Sequence, residues 1–233
     1  MSISVIIPTY QHASTISQCL DSIFNQTLLP DEIIVVNDGS TDNTEGVLAE
    51  YSSQIHYIKQ SNQGAPVARN RGFDESTGDF VIFWDADLIG EPRMLETLQR
   101  ALTEHSEASW SYPSFRWGRK VFKGKKFDAV ELRKQNYIHT TALIRRDSFS
   151  GFDPSLKRFQ DWDLWLTMSE NGDSGVWVDE VLFDVLIEKG REGYSRWLPS
   201  ILYKFPWPVF GWTPKAITEH DEAKKIVATK HGL

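Results

Sequence analysis

Cysteine is almost absent: Cys19 stands alone among 233 residues. No intrachain disulfide can form, and no metal site built from several thiolates is available. Long apolar runs are missing as well, and none approaches the roughly 20 residues that span a bilayer. The opening Met1-Ser-Ile-Ser-Val-Ile-Ile is too short, and too poor in basic flanks, for a secretory signal. A cytoplasmic setting is therefore expected. Positive charge is scarce early on: residues 1–110 hold 5 Lys or Arg against 16 Asp or Glu. The formal charge of the whole chain is −7, which argues against a general nucleic-acid binder. What is present is apolar and aromatic. At 40% hydrophobic and 12% aromatic the chain can bury a core, so global disorder is excluded. Residues 111–233 reverse the early bias, with 20 basic and 16 acidic side chains, and eight of the nine tryptophans lie beyond residue 109.

The first part alternates short apolar strands with amphipathic helices. Residues 3–7 read as a buried strand that Pro8 stops. Ile16, Cys19, Leu20, Ile23 and Phe24 recur on one helical face. Ile33–Val36 is a second strand, closed by Asn37-Asp38-Gly39-Ser40. Asp42 and Glu45 suggest a capping box for a helix burying Val47, Leu48 and Tyr51. Ile55–Ile58 is a third strand, and Pro66 suits the first turn of a helix reaching about Glu75. Phe80–Trp84 is a fourth, and Pro92 opens a helix with Met94, Leu95, Leu98, Ala101 and Leu102 inward. This β-α repetition predicts an α/β fold with a mostly parallel, doubly wound sheet and helices on both faces. Beyond residue 108 the rhythm changes to a smaller mixed β/α region. It has a hairpin around Gly118, a strand candidate over Tyr137–Ile144, a helix from Asp161 to Glu170, a strand over Val176–Val185 and a terminal helix from Ile217 to Lys230.

Doubly wound sheets bind ligands outside the carboxyl ends of their strands. The residues there are Thr9 and Tyr10, then Asp38, then Asp85 and Asp87. Asp85-Ala86-Asp87 puts two carboxylates on a turn after a buried strand. Hard cations prefer such oxygen ligands, and two carboxylates suit a metal shared with a diphosphate better than a closed cage. The plain alternative is a turn whose acids cap the next helix. Asp38 can accept a nucleobase ring N–H, or serve its own turn. Asp161, at a helix start, reads either as an N-terminal cap or as a general base. Trp162 and Trp165 read as core or as sugar-stacking rings, with core preferred for at least two of Trp162, Trp165 and Leu166. His139 is taken as a satisfied structural histidine near the cleft.

Five segments, in order, resemble those of the inverting glycosyltransferases of family 2. They are Ser4-Val-Ile-Ile-Pro-Thr-Tyr10, Val35-Val-Asn-Asp-Gly-Ser-Thr-Asp42, Gly64 through Ala68-Arg69-Asn70-Arg71-Gly72, Phe83-Trp-Asp-Ala-Asp87 and Gln160-Asp-Trp-Asp-Leu-Trp165. The resemblance covers residues 2 to 197 and implies a GT-A fold. It implies one domain over 1–200, with a nucleotide-sugar half (1–110) and an acceptor half (111–200), followed by an aromatic strap and helix over 201–233. By the same resemblance Thr9, Tyr10, Asp38, Arg69 and Asp85 would line the nucleotide site. Asp87 would bind a divalent cation, Mn2+ or Mg2+, and Asp161 would be the catalytic base. Arg191, Ser195 and Arg196 would lie on a loop over the diphosphate. Two positions depart from the family pattern. Leu88 replaces a frequent Asp, and Gln160 replaces a frequent Glu. Ser195-Arg196-Trp197 lacks the Gln of processive members, so one sugar per event is expected.

The implied partners are a nucleoside-diphosphate sugar, most simply a UDP-sugar, and a glycan or lipid-linked acceptor in cell-surface polysaccharide assembly. Two other classes compete. A sugar nucleotidyltransferase would need a Gly-rich, basic loop after the first strand, where this chain has Pro8-Thr-Tyr-Gln-His12. A non-catalytic nucleotide- or carbohydrate-binding module is separated from an enzyme by product release. Eight basic residues against two acidic lie between Arg116 and Lys134. They read as a solvated hairpin, or as a surface for a phosphorylated acceptor or anionic lipid. The aromatics of 201–212 suit peripheral membrane contact, a packed strap or a homodimer contact.

Overall fold

The computed structural model describes residues 1–187 and 214–233. Nine strands of the described residues form one sheet: β1 (Ile3–Thr9), β2 (Glu32–Asp38), β3 (His56–Gln60), β4 (Phe80–Phe83), β5 (Leu88–Gly90), β6 (Trp110–Trp117), β7 (Lys120–Phe122), β8 (Leu143–Arg145) and β9 (Gly175–Val185). The helices are α1 (Ile16–Phe24), α2 (Thr44–Ala49), α3 (Ala65–Asp74), α4 (Met94–Glu104), α5 (Ala129–Lys134), α6 (Gln160–Glu170) and α7 (Lys215–Lys230). The strand order is β3-β2-β1-β4-β8-β6-β9-β5, with β7 pairing β6. From β3 to β4 every pairing is parallel, so those carboxyl ends gather at one edge. Beyond β4 the sheet is mixed: β8 is antiparallel to both neighbours, whereas β9 runs parallel to β6. The sheet crosses residue 110 without a break.

Strand alternation divides the core. Ile3, Val5 and Ile7 of β1 face α1 and α4, together with Ile33 and Val35 of β2. Ile6 faces the layer of α6, and Ile34 and Val36 meet Ala68 of α3. Helices therefore cover both faces, as the alternating pattern predicts. Gly72 is what allows α3 to lie so close: a Cβ there would run into Ile6 Cγ2.

Several local expectations are corrected. Pro8 does not stop β1, which pairs through Pro8 with Val36. The Ile6 carbonyl accepts from Trp84 on the β4 side. Two residues on, Pro8 faces that same side, where β4 has already ended at Phe83, so its missing N–H leaves no ladder bond unmade. The capping box does not form. Asp42 accepts from Thr44 N and from Ala13 N of the β1 loop, and Glu45 pairs with Lys59. Of the expected strand over Tyr137–Ile144 only the end is regular, as β8. Two elements escaped the sequence reading, namely the three-residue β5 and the short α5, which Asp128 caps through Val130 N and Glu131 N. Trp162 and Trp165 are core, with Trp165 stacked on Trp110 at 5.3 Å.

Candidate functional site

The gathered carboxyl ends of β1, β2 and β4 carry Thr9, Asp38 and Asp85. At β2 the Asp38 carboxylate is 2% exposed and already accepts three donors, Gln60 Nε2, Gln63 N and Gly64 N, each at 2.8 Å. A carboxylate has about four acceptor directions, so these donors leave one unused. The same bonds fix the start of α3, where Gly64 at φ +93° makes a turn that a side chain would strain. Asp38 thereby sets where α3 begins, and Arg69 follows one turn later.

The β1 loop is clipped to the β2 loop by Gln11, which has a positive φ of 60°. Its Oε1 accepts from Thr41 N at 2.8 Å and Asp42 N at 3.0 Å, and its own N–H donates to Ser40 Oγ at 3.0 Å. This holds Thr9 buried, with its hydroxyl 3.3 Å from His12 Nδ1, and leaves Tyr10 exposed at the rim. Sequence reasoning did not single out Gln11. Its signal would have been a long polar side chain in the loop after a buried strand.

Arg69 is the centre of the arrangement. One guanidinium nitrogen donates to Asp85 Oδ1 at 2.6 Å and another to Gln160 Oε1 at 2.8 Å. Its planar face lies over the Phe152 ring at 5.2 Å. Arg69 thus ties the turn after β4 to the start of α6. Gln160, read in the sequence as a departure from Glu, supplies a neutral acceptor to this fork. Burial would raise the Asp85 carboxyl, but the nearby groups, the Arg69 guanidinium foremost, together hold Asp85 below its ordinary value. Asp85 is consequently a fixed anion rather than a proton carrier.

Asp87 follows on the same turn, which the Leu88 N–H closes onto the Asp85 carbonyl at 3.0 Å. The Asp87 carbonyl accepts from Leu186 N at 2.9 Å, so β9 delivers the chain to this spot. Arg191, Ser195 and Arg196 lie outside the described residues, as does the 201–212 segment. Among the described residues no cluster of three His, Cys, Asp or Glu could enclose a metal. A half-buried Asp87 with its neighbour Asp85 engaged by Arg69 fits a hard divalent cation that shares its shell with phosphate oxygens, not a closed protein cage.

Asp161 occupies the first turn of α6, half-buried, with Oδ2 accepting from Asn136 Nδ2 at 2.7 Å and Oδ1 from Trp162 N at 2.9 Å. Burial raises its carboxyl above the ordinary carboxylate value, opposed by the Trp162 N–H, Arg69 and Asn136. A raised carboxyl is better matched to taking a proton near neutral pH. Asn136, absent from the sequence reading, lies in the irregular chain before β8. His139 sits there too, tilted against the stacked rings of Phe115 and Phe183 at 4.9 and 5.1 Å. Burial drives its pKa down to about 4, so it is neutral beside Asp85 and Arg69.

The basic stretch is largely neutralised. Arg116 pairs with Asp184, Lys123 with Asp179, Lys125 and Lys134 with Glu131, and Arg133 with Glu170. Among the described residues no helix is long and apolar enough to cross a membrane.

Comparison with known proteins agrees with this geometry. The family model described as Glycosyl transferase family 2 matches residues 4–152. Glycosyltransferase GlyA of Streptococcus pneumoniae is 41% identical over 118 residues, which are 48% of this chain and 17% of that protein. A PGL/p-HBAD biosynthesis glycosyltransferase of Mycobacterium bovis is 32% identical over 177 residues, covering 69% of this chain and 67% of that protein. The chain spans less than a third of the length of the first three curated relatives, at 17%, 30% and 32%. Among solved structures, S. aureus TarS 1-349 in complex with UDP-GlcNAc superposes with a TM-score of 0.71 at 21% identity, covering 88% of this chain and 64% of that one. The mannosyltransferase PcManGT of Pyrobaculum calidifontis, in complex with GDP-Man and Mn2+, gives 0.66 at 18% identity, with 97% and 69% covered. These likenesses establish the GT-A fold.

Proposed function

Because this chain belongs to glycosyl transferase family 2, we propose that it transfers one sugar per event, with inversion, from a nucleoside-diphosphate donor to an acceptor hydroxyl. A UDP-sugar is the preferred donor, and a glycan or lipid-linked molecule of cell-surface polysaccharide assembly the acceptor. The observation that carries this reading is the Arg69 fork between Asp85 and Gln160. It joins the strand ends of the parallel half to the helix bearing Asp161.

Thr9, Tyr10 and Asp38 hold the nucleoside, and Asp85, braced by Arg69, faces the ribose. Mn2+ or Mg2+ at Asp87, when bound, supplies charge neutralisation for the departing diphosphate. Asp161 takes the proton from the acceptor hydroxyl as that oxygen attacks the anomeric carbon from the face opposite the leaving group. A single displacement of this kind inverts the anomeric configuration, through a transition state of oxocarbenium character. Arg191, Ser195 and Arg196 are proposed to close over the diphosphate. Complexes of TarS with UDP-GlcNAc and of PcManGT with GDP-Man and Mn2+ support the donor class and the cation.

A donor screen tests the proposal. Nucleotide sugars are incubated with the protein, with and without Mn2+, and nucleoside diphosphate release is measured. Release from one uridine donor, only with metal, is expected. No binding or release from any donor under either condition would sink the reading.

A further inference from the structure

The proposed mechanism uses the front of α6; the back holds a second cluster of charge. Asp161 and Asp163 are two residues apart, hence about 200° apart around the helix, and face opposite ways. Asp161 turns to Asn136. Asp163 turns inward, 2% exposed, and accepts from Lys230 Nζ at 2.9 Å and lies 2.9 Å from His231 Nε2. Both come from the end of α7. Lys230 Nζ also reaches Asp153 Oδ2 at 2.8 Å, on the loop before α6. Its two partners bracket Phe159, whose left-handed backbone at φ 59° introduces the helix. A non-glycine residue is costly there and persists only when its surroundings hold it. The other His231 nitrogen meets Glu170 Oε2 at 2.9 Å, two turns along the same face of α6.

The cluster also grips the partner of Asp161. Arg133 of α5 donates to the carbonyls of His231 and Gly232 at 2.9 and 3.1 Å, and to Glu170 at 3.2 Å. Trp162 Nε1 donates to the Leu132 carbonyl at 2.7 Å. Asn136 stands three residues beyond Arg133. The end of α7 therefore clamps the helix carrying Asp161 and the segment carrying Asn136 as one body.

We propose that Lys230 and His231 are positioning residues for the transfer reaction, fixing the aim of the Asp161 carboxylate and of Asn136 beside it. This rests on the reading of Asp161 as the base. A displacement of about 1 Å can cost up to about 100-fold in rate, so the effect belongs in kcat rather than in donor binding.

The test compares Lys230→Met, His231→Gln, Lys230→Arg and Asp161→Asn in the full chain. UDP–Mn2+ affinity is read from Trp fluorescence, turnover from diphosphate release, and folding from thermal melting. Lys230→Met and His231→Gln are expected to lower kcat about tenfold while UDP affinity stays within about twofold. Lys230→Arg, which keeps the charge and reach, restores most of the loss. Should Lys230→Met fail to fold, the pair Asp163→Asn with Lys230→Met removes the stranded buried charge and is read the same way. Wild-type kcat in folded Lys230→Met, with Asp161→Asn inactive, overturns the proposal. So does an equal loss of kcat and UDP affinity, or a Lys230→Arg as slow as Lys230→Met. Wild-type turnover in Asp161→Asn removes the base reading first, and the positioning role with it.

Discussion

The two halves hold their site residues by different means. In residues 1–110 all but Arg69, which α3 carries, stand at or just past the end of a parallel strand, and backbone ladders place them. Thr9, Asp38 and Asp85 need little beyond the sheet to lie side by side. In the later half the sheet turns mixed, and Asp161 rides on a helix held by side chains far away in sequence: Arg69, Asn136, Lys230 and His231. A strand end is a rigid mount set by local pattern. A helix start held by hydrogen bonds is a mount that one distant substitution can shift.

Arg69 is the joint between these regions, so its replacement should break the comparison most severely. Arg69→Lys keeps the charge but cannot fork to both Asp85 and Gln160. We expect a kcat loss of about 100-fold, measured by diphosphate release with saturating donor. Unchanged kcat would mean that the halves do not need this tie.

Asp87→Asn confines the damage to the first half. Mn2+ dependence of donor binding should weaken by at least roughly 10–100-fold, the range for lesser changes around a metal. Calorimetric titration of UDP with and without Mn2+ reads this directly, and an unaltered Mn2+ requirement would remove Asp87 from the cation site. Gly72→Ala attacks the mount rather than the chemistry. Its Cβ meets Ile6, so about 1–3 kcal/mol of stability should be lost, seen as a lower Tm. A variant as stable as the wild type would show that α3 can retreat from the sheet.

The smallest effect sharpens the second half. A base acts when deprotonated, so kcat should rise with pH through the raised Asp161 value and fall below it. Asn136 favours the charged form by donating to it. Asn136→Ala should move the acid limb of the kcat profile to higher pH. A limb at the ordinary carboxylate value in both proteins would contradict the burial of Asp161.

The same contrast explains what the sequence disclosed. The β-α rhythm, the helical face of Ile16 to Ile23 and the strand-end aspartates were legible because they follow local period and turn chemistry. Pro8 misled because whether a proline breaks a strand depends on whether a neighbour is still alongside. Asp42 and Glu45 had the spacing of a capping box, yet Ala13 and Lys59, distant in sequence, took them. The second half was less legible for a related reason. Over Tyr137–Ala142 the apolar residues pack on α6 and Trp110 without regular pairing, so composition alone suggested a strand there. Asn136, the acceptor role of Gln160 and the grip of Lys230 and His231 all depend on contacts between residues more than twenty positions apart.

The most direct test of the division between donor and acceptor halves is one variant read two ways. Asp161→Asn should bind UDP with Mn2+ as tightly as the wild type, because the proposed nucleotide site lies at the parallel strand ends and α3, away from Asp161. Its turnover should fall about 100- to 10,000-fold, the usual contribution of a positioned base. Wild-type turnover in Asp161→Asn, or loss of UDP binding equal to the loss of rate, would contradict the assignment.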